Sequence, residues 1–206
     1  MYEKEFKKKL IIKILNEFSF DKDLEEVFKE SLFSFNIEQK DHKRIIAYHF
    51  PNHFNDVITF FSEIISIEFQ KSIPKKFKKM RISEKIKYSI INRLVILDDY
   101  DINYKDLFEF MLQPNNLIFS QKILFNICDD MWYLSGDKSL DFNYYSKRLI
   151  LMKIYFSTFR FWINDSSENK EKTNSFVENQ LKITSKIGKY KSLFKKGLKN
   201  LRIKFF

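Results

Sequence analysis

Apolar residues return every three to four positions along almost the whole chain, the period of an amphipathic helix, and the breaks between periodic segments predict about ten helices. The first runs over 3–18 and ends in the segment Ser19 to Asp23; two short ones follow over 24–34 and 41–49. Pro51 and Asn52 break the chain before a longer helix over 53–72, which Pro74 closes. A basic connector (Lys75, Lys76, Lys78, Lys79) leads to a helix over 83–97, and a short one follows over 104–112. Pro114 suits the first turn of the next helix, which reaches about 134, with Gly136 placed as its C-terminal cap. Asp141 is positioned to cap an eighth helix reaching 163, a ninth covers 167–187, and a last one runs from 191 to the end.

Two of these segments have patterns that go beyond helix formation. In the eighth, Tyr145, Leu149, Met152, Phe156, Phe159 and Ile163 form one stripe, and Ile150, Leu151, Ile154, Phe161 and Trp162 widen it nearly all round. That width predicts a central, buried helix. In the last, Tyr190, Leu193, Phe194, Leu198, Leu201 and Phe205 fall on one side. Lys195, Lys196, Lys199 and Arg202 fall on the other, with Lys191 at the border, and no acidic residue follows Glu178. A basic amphipathic helix with aromatics on its apolar face is the form of an interfacial membrane binder, with each basic residue worth on the order of 1 kcal/mol near an anionic leaflet.

Composition narrows the class. Three Gly and three Pro are too few for the many tight turns of an all-β domain, and 44% hydrophobic residues exclude a disordered chain. The net charge of +10 and the 24 Phe weigh less than they look, because Ala47 is the only alanine and Lys, Ile, Asn and Phe dominate, as an AT-biased coding sequence would give. Cys128 has no partner for an internal disulfide, and Glu3, Glu5 and Glu17 spoil both a secretory and a transit pattern. The expectation is a reducing compartment, most simply a bacterial cytoplasm. The most apolar stretch, 149–163, is short and holds Lys153 and Arg160, so membrane contact is expected to be peripheral.

Catalytic signatures are missing. No Gly-rich phosphate loop, GxSxG or paired Cys occurs, and no Glu-x-x-His pair for a di-iron bundle. His42, His49 and His53 make a poor metal cluster because Pro51 separates the last two, and surface or satisfied core histidines explain them. Asp98, Asp99 and Asp101 are explained as well by a helix end as by a cation. The expectation is a protein that is not an enzyme and needs no cofactor. The three short helices, then Phe50-Pro51 and a long helix, have the order of a TetR-type helix-turn-helix head. The usual turn glycine is replaced around Phe35, Asn36 and Ile37, and Lys40, Lys43 and Arg44 suit phosphates better than bases. A scaffold that no longer reads DNA is the favoured reading; a TetR-type regulator with an apolar ligand is the alternative.

The remaining signal is the helix–loop–helix corner from Asp129 to Arg148, where acidic, aromatic and basic residues alternate as they do in protein-binding hot spots. Trp132, then Gly136-Asp137, then Ser139-x-Asp141-Phe142-Asn143-x-Tyr145-x-Lys147-Arg148 closely resembles the signature of the ubiquinone-biosynthesis accessory proteins often called Coq-nine. The likeness continues through Tyr155-x-Ser157-Thr158, Trp162, Asp165-x-Ser167 and Thr173-x-x-Phe176 to Gly188, and covers about 114–188.

The resemblance implies a TetR-like fold without DNA reading, an apolar pocket for lipids such as isoprenoid quinone precursors or a phospholipid, and a C-terminal helix on the membrane. It further implies a docking corner for the di-iron demethoxyubiquinone hydroxylase. By motif position the docking patch is Asp129, Met131, Asp141, Tyr144, Tyr145 and Arg148. The family usually has Trp at Tyr144 and often Leu at Met131, and both exchanges keep a bulky apolar contact. Phe125, Ile154 and Phe161 are placed in the pocket from helix position. The expectation is thus an all-α, TetR-like bundle: a helical domain over 1–188 (head 1–73, lipid-binding bundle 74–188) and a membrane helix over 189–206. It is expected in the cytoplasm at the inner face of a bacterial plasma membrane (the matrix side in eukaryotic relatives), with homodimerisation possible and no nucleic-acid partner.

Overall fold

The computed structural model describes residues 2–184. Among them every regular element is helical. The order is α1 (Tyr2–Glu17), α2 (Leu24–Phe33), α3 (Gln39–His49), α4 (Phe54–Ser72), α5 (Ile82–Asp98), α6 (Tyr104–Leu112), α7 (Leu117–Leu134) and α8 (Asp141–Trp162). A further helix, α9, covers 171–184 up to the limit of the described residues. Short 3-10 turns sit at Lys75–Lys79, Pro114–Asn116 and Glu168–Lys170. Among the described residues the expected boundaries hold to within about four residues, and the bundle is all-α as read from the sequence. The basic amphipathic segment over 189–206 lies outside the described residues.

Local chemistry explains the breaks. The Asp23 carboxylate accepts from the Glu25 amide at 3.0 Å and starts α2, and the Asn103 side chain accepts from Asp106 at 3.2 Å to start α6. Asn36, where a turn glycine was expected, takes the left-handed conformation (φ 57°) that Asn tolerates better than most residues. Gly136 (φ 87°) ends α7: its amide donates to Tyr133 O at 2.9 Å and the Asp137 amide donates to Trp132 O at 3.0 Å. Two expectations about helix starts are corrected. Pro114 opens a 3-10 turn ahead of α7 rather than α7 itself. Asp141 is the first residue of α8 with φ 54°, so the N-cap position falls to Leu140, which makes no side-chain cap bond.

One contiguous apolar core runs from Leu10 to Val177. Helix α1 packs on α2 and α4, α4 on α5 and α7, and α7 on α8. Phe18 stacks on Phe54 at 4.5 Å between ring centroids, and Phe110 of α6 meets Phe54 edge-on at 5.0 Å. His42 is buried, with Nε2 3.0 Å from Ile37 O; His49 packs against Phe6 and Phe50; His53 is exposed. No group of metal-ligating side chains forms among the described residues, and no described helix is long and apolar enough to cross a membrane.

Helix α8 is where the structure departs most from the pattern. Its buried face is Arg148, Leu151, Ile154, Tyr155, Thr158 and Trp162. Three residues of the expected buried stripe are exposed: Tyr145, Leu149 and Phe156, joined by Ile150. The physical reason is Arg148. Its ion pairs pull a polar position inward and thereby turn the apolar stripe outward.

Core position should decide mutational cost. Phe69→Ala, at a fully buried site, is expected to lower unfolding free energy by about 3–5 kcal/mol, whereas Phe33→Ala, half exposed on α2, should stay within about 0.5 kcal/mol. Urea unfolding of both variants checks this.

Candidate functional site

The corner between α7 and α8 is held by charge. The guanidinium of Arg148, 3% exposed, donates from Nε to Asp129 Oδ1 at 2.6 Å and from Nη1 to Asp137 Oδ2 at 2.9 Å. Lys147 Nζ reaches Asp137 Oδ1 at 2.7 Å, and the Ser139 hydroxyl donates to the same carboxylate. Tyr144 lays its ring 3.5 Å from the Arg148 guanidinium carbon and donates its hydroxyl to Asp129 at 2.9 Å. On the neighbouring face the Trp132 indole N–H donates to Lys147 O at 3.2 Å, tying α7 to α8. Every charged group buried here has a partner, the condition under which burying charge is tolerable.

The same network sets protonation. Burial alone would raise the Asp137 carboxyl, but hydrogen bonds from Lys147, Ser139 and Arg148 outweigh it and hold the carboxyl far below the ordinary Asp value. Asp165, beyond α8, follows the same logic. Burial opposes its charge, yet hydrogen bonds from Ser167 and Thr173 pull it well below the usual range and pin the start of α9 to the end of α8. The Cys128 thiol, fully buried on α7, is pushed far up by desolvation, against the opposing pull of Arg93 and Arg148. It is therefore no nucleophile at neutral pH.

Beside the corner lies an apolar cavity of about 380 Å³, within the size range of ligand sites. Five helices line it: Ile58, Phe61 and Ile65 from α4; Arg93 and Leu97 from α5; Tyr104, Leu107 and Phe108 from α6; Leu124 and Ile127 from α7; Tyr155 and Phe159 from α8. Ile65, Arg93 and Tyr155 are fully buried, whereas Leu112, Leu117, Gln121 and Phe156 are exposed, so the cavity opens at the α6–α7 turn. The arrangement can hold an apolar molecule; among the described residues it brings together no acid–base pair, activated nucleophile or metal set that would transform one.

Comparison with known proteins falls on this same region. Residues 118–188 match the COQ9 family model. The resemblance read from the Trp132 to Arg148 signature is therefore to the family that the match names, over α7, α8 and beyond. Similar proteins include the probable ubiquinone biosynthesis protein coq9, mitochondrial, of Dictyostelium discoideum, 30% identical over 53% of this chain and 36% of that one. The COQ9 of Bos taurus is 32% identical over 54% of this chain and 35% of its own, and COQ9-B of Xenopus laevis is 41% identical over 34% and 24%. The matched part spans about a third of the length of the first two relatives.

Within the COQ9-matching stretch the expected docking residues do not all reach the surface. Asp141 and Tyr145 are exposed, and Tyr144 and Asp129 are half-buried. Met131 is fully buried and Arg148 nearly so; they support the patch from beneath. The three expected pocket residues lie outside the cavity lining. Phe125 sits under the patch, 6.4 Å from the Tyr144 ring, Ile154 packs in the core, and Phe161 stacks on Phe176 at 4.7 Å. The lining uses their neighbours Leu124 and Tyr155 instead. The expected membrane-binding residues, from Tyr190 to Phe205, lie outside the described residues. What sequence reasoning missed is the exposed apolar rim of the corner: Tyr133, Leu140, Phe142 and Leu149, each more than half exposed. The signal was available in Leu140 and Phe142, two large apolar residues flanking a helix start.

The Asp137 network gives a pH-dependent prediction. A carboxyl held below its ordinary value, near 3.8, adds stability that is complete above that pH and is lost as pH falls toward the lower folded value. Asp137→Asn leaves Arg148 short of a buried partner and should lower stability by about 3 kcal/mol at pH 7. The gap to the native chain should narrow as pH falls from 4 toward 2. Urea titrations at pH 7 and at low pH measure both.

Proposed function

We propose that this chain is a non-catalytic lipid-binding accessory protein of ubiquinone biosynthesis, one that takes an isoprenoid quinone precursor from a membrane and presents it to a ring hydroxylase. The observation that carries the reading is the adjacency of an apolar cavity to an ion-paired corner with exposed aromatics; the corner and the α7 and α8 walls of the cavity fall in the stretch that matches COQ9. The names of the relatives place those proteins in ubiquinone biosynthesis and in mitochondria, which supports the same assignment here.

Physical chemistry supports the division of labour. Each exposed methylene of a prenyl tail costs about 0.8 kcal/mol in water, so the tail needs shelter between bilayer and enzyme. The cavity offers it, and the basic, apolar-patterned sequence over 191–206 would add attraction to an anionic surface. The stripe of Phe142, Tyr145, Leu149 and Phe156 on α8 offers apolar anchors beside Asp129 and Asp141, a composition suited to protein docking. We assign that surface to the di-iron hydroxylase, or to a second copy of the chain in its absence. A TetR-like head that has lost DNA reading fits α1 to α4. On the candidate reading helix, Lys40 pairs with Glu38 at 2.5 Å and Arg44 with Asp41 at 2.9 Å, leaving less positive charge for phosphates.

Two outcomes test the reading. Leu149→Glu, on the exposed stripe, should abolish capture of the cognate hydroxylase while circular dichroism and unfolding stay native; unchanged capture counts against the docking surface. Deleting 191–206 should remove at least nine-tenths of the binding to anionic liposomes in a flotation assay, and retention of binding counts against membrane docking through that segment.

A further inference from the structure

The buried part of the cavity lining holds one charged side chain. Arg93 of α5 is 2% exposed and lines the cavity among apolar side chains. Nη1 donates to Ser66 Oγ at 3.0 Å and Nη2 to Ser62 O at 3.2 Å, but Nε has no hydrogen-bond partner. Among the described residues Arg93 forms no ion pair; its nearest link to a carboxylate runs through Ser66, which donates to Asp130 at 3.0 Å. The contrast with Arg148, which meets two aspartates, is plain. Tyr155, also in the lining, lies close enough to feel the Arg93 charge.

A guanidinium carries five N–H donors and a charge that it does not shed, and a buried donor left unpaired is costly. Apolar packing gains nothing from an arginine here. A ligand with an oxygen acceptor would gain, because a charged donor in a dry cavity makes a strong hydrogen bond.

We propose that Arg93 is the recognition group for the polar end of an amphiphile: a molecule with an acceptor oxygen on a ring or acid head and an apolar tail, bound head-inward. This rests on the reading of the cavity as a ligand site and adds orientation and selectivity to it. The head sits at Arg93 and Tyr155, on the side of α7 that leads through Ser66 to Asp130, next to Asp129 of the docking corner. The tail runs past Phe108 and Leu124 and leaves by the α6–α7 opening, over Leu117 and the exposed Ile118.

The test compares matched probes on the full chain: 4-hexylphenol, hexylbenzene and a lysophosphatidic acid, titrated by calorimetry. In a cavity that recognises only apolar shape, hexylbenzene binds tighter, since a hydroxyl prefers water. With Arg93 as receptor the order reverses, 4-hexylphenol binding at least about tenfold tighter. Arg93→Met then restores the apolar order without weakening hexylbenzene. Should that variant fail to fold by circular dichroism, the native order together with Arg93→Lys, expected to weaken 4-hexylphenol alone, decides. Displacement of the phenol by lysophosphatidic acid would assign the acceptor oxygen to a phosphate head, and failure to displace it would assign a ring oxygen. Tighter hexylbenzene on the native chain overturns the role of Arg93 and leaves the cavity reading standing. No binding of any probe overturns both.

Discussion

The burial of Arg148 between Asp129 and Asp137 is the constraint on which the rest of the functional region depends. Removing a guanidinium from water is expensive, and here two carboxylates, a tyrosine ring and a carbonyl compensate it. Because the pairing requires Arg148 to face α7, the orientation of α8 about its own axis is fixed. Leu151, Tyr155, Thr158 and Trp162 follow Arg148 inward, and Tyr145, Leu149 and Phe156 are carried outward. A corner closed by apolar packing alone would have hidden that stripe. The charge network therefore stabilises the hairpin and, by the same geometry, displays its apolar side.

The inward face of α8 contributes in turn to the cavity. Tyr155 and Phe159 form one wall, and α4, α5, α6 and α7 close the others. The buried Cys128 thiol feels the charges of both buried arginines, Arg93 and Arg148. Ser66 also links the two regions, accepting from Arg93 at 3.0 Å and donating to Asp130 at 3.0 Å. The two arginines differ in one respect: Arg148 is saturated by the protein, and Arg93 keeps a free donor. The first holds α8 to α7; the second is the group we propose for recognition of a ligand head.

Much of this was legible in the sequence. Helix order and bounds followed from period, Pro51, Pro74 and Gly136, since those signals are local. The corner was legible too, because its alternation of acid, aromatic and base survives as a motif. The facing of α8 was not. Hydrophobic periodicity assumes that apolar residues go inward, and an arginine that finds one aspartate on α7 and another in the loop after it defeats that assumption. Met131 and Arg148, placed in the patch by motif position, are buried, because a motif does not say which of its residues reach the surface. Two of the three expected pocket residues, Phe125 and Ile154, sit one position from the lining residues Leu124 and Tyr155, a rotation of 100° about the helix, while Phe161 lines a smaller hollow beside Phe176. Arg93 carried no sequence signal at all; only the convergence of five helices puts it at the end of a cavity.

Gentle purification of the full chain, followed by organic extraction and mass spectrometry of whatever comes with it, tests the central claim most directly. The expected result is an amphiphile with a prenylated oxygen-bearing ring, or a phospholipid, at close to one molecule per chain. A chain that carries no lipid and takes up none from liposomes, yet binds a palindromic duplex with a steep salt dependence, would contradict lipid presentation and make it a regulator.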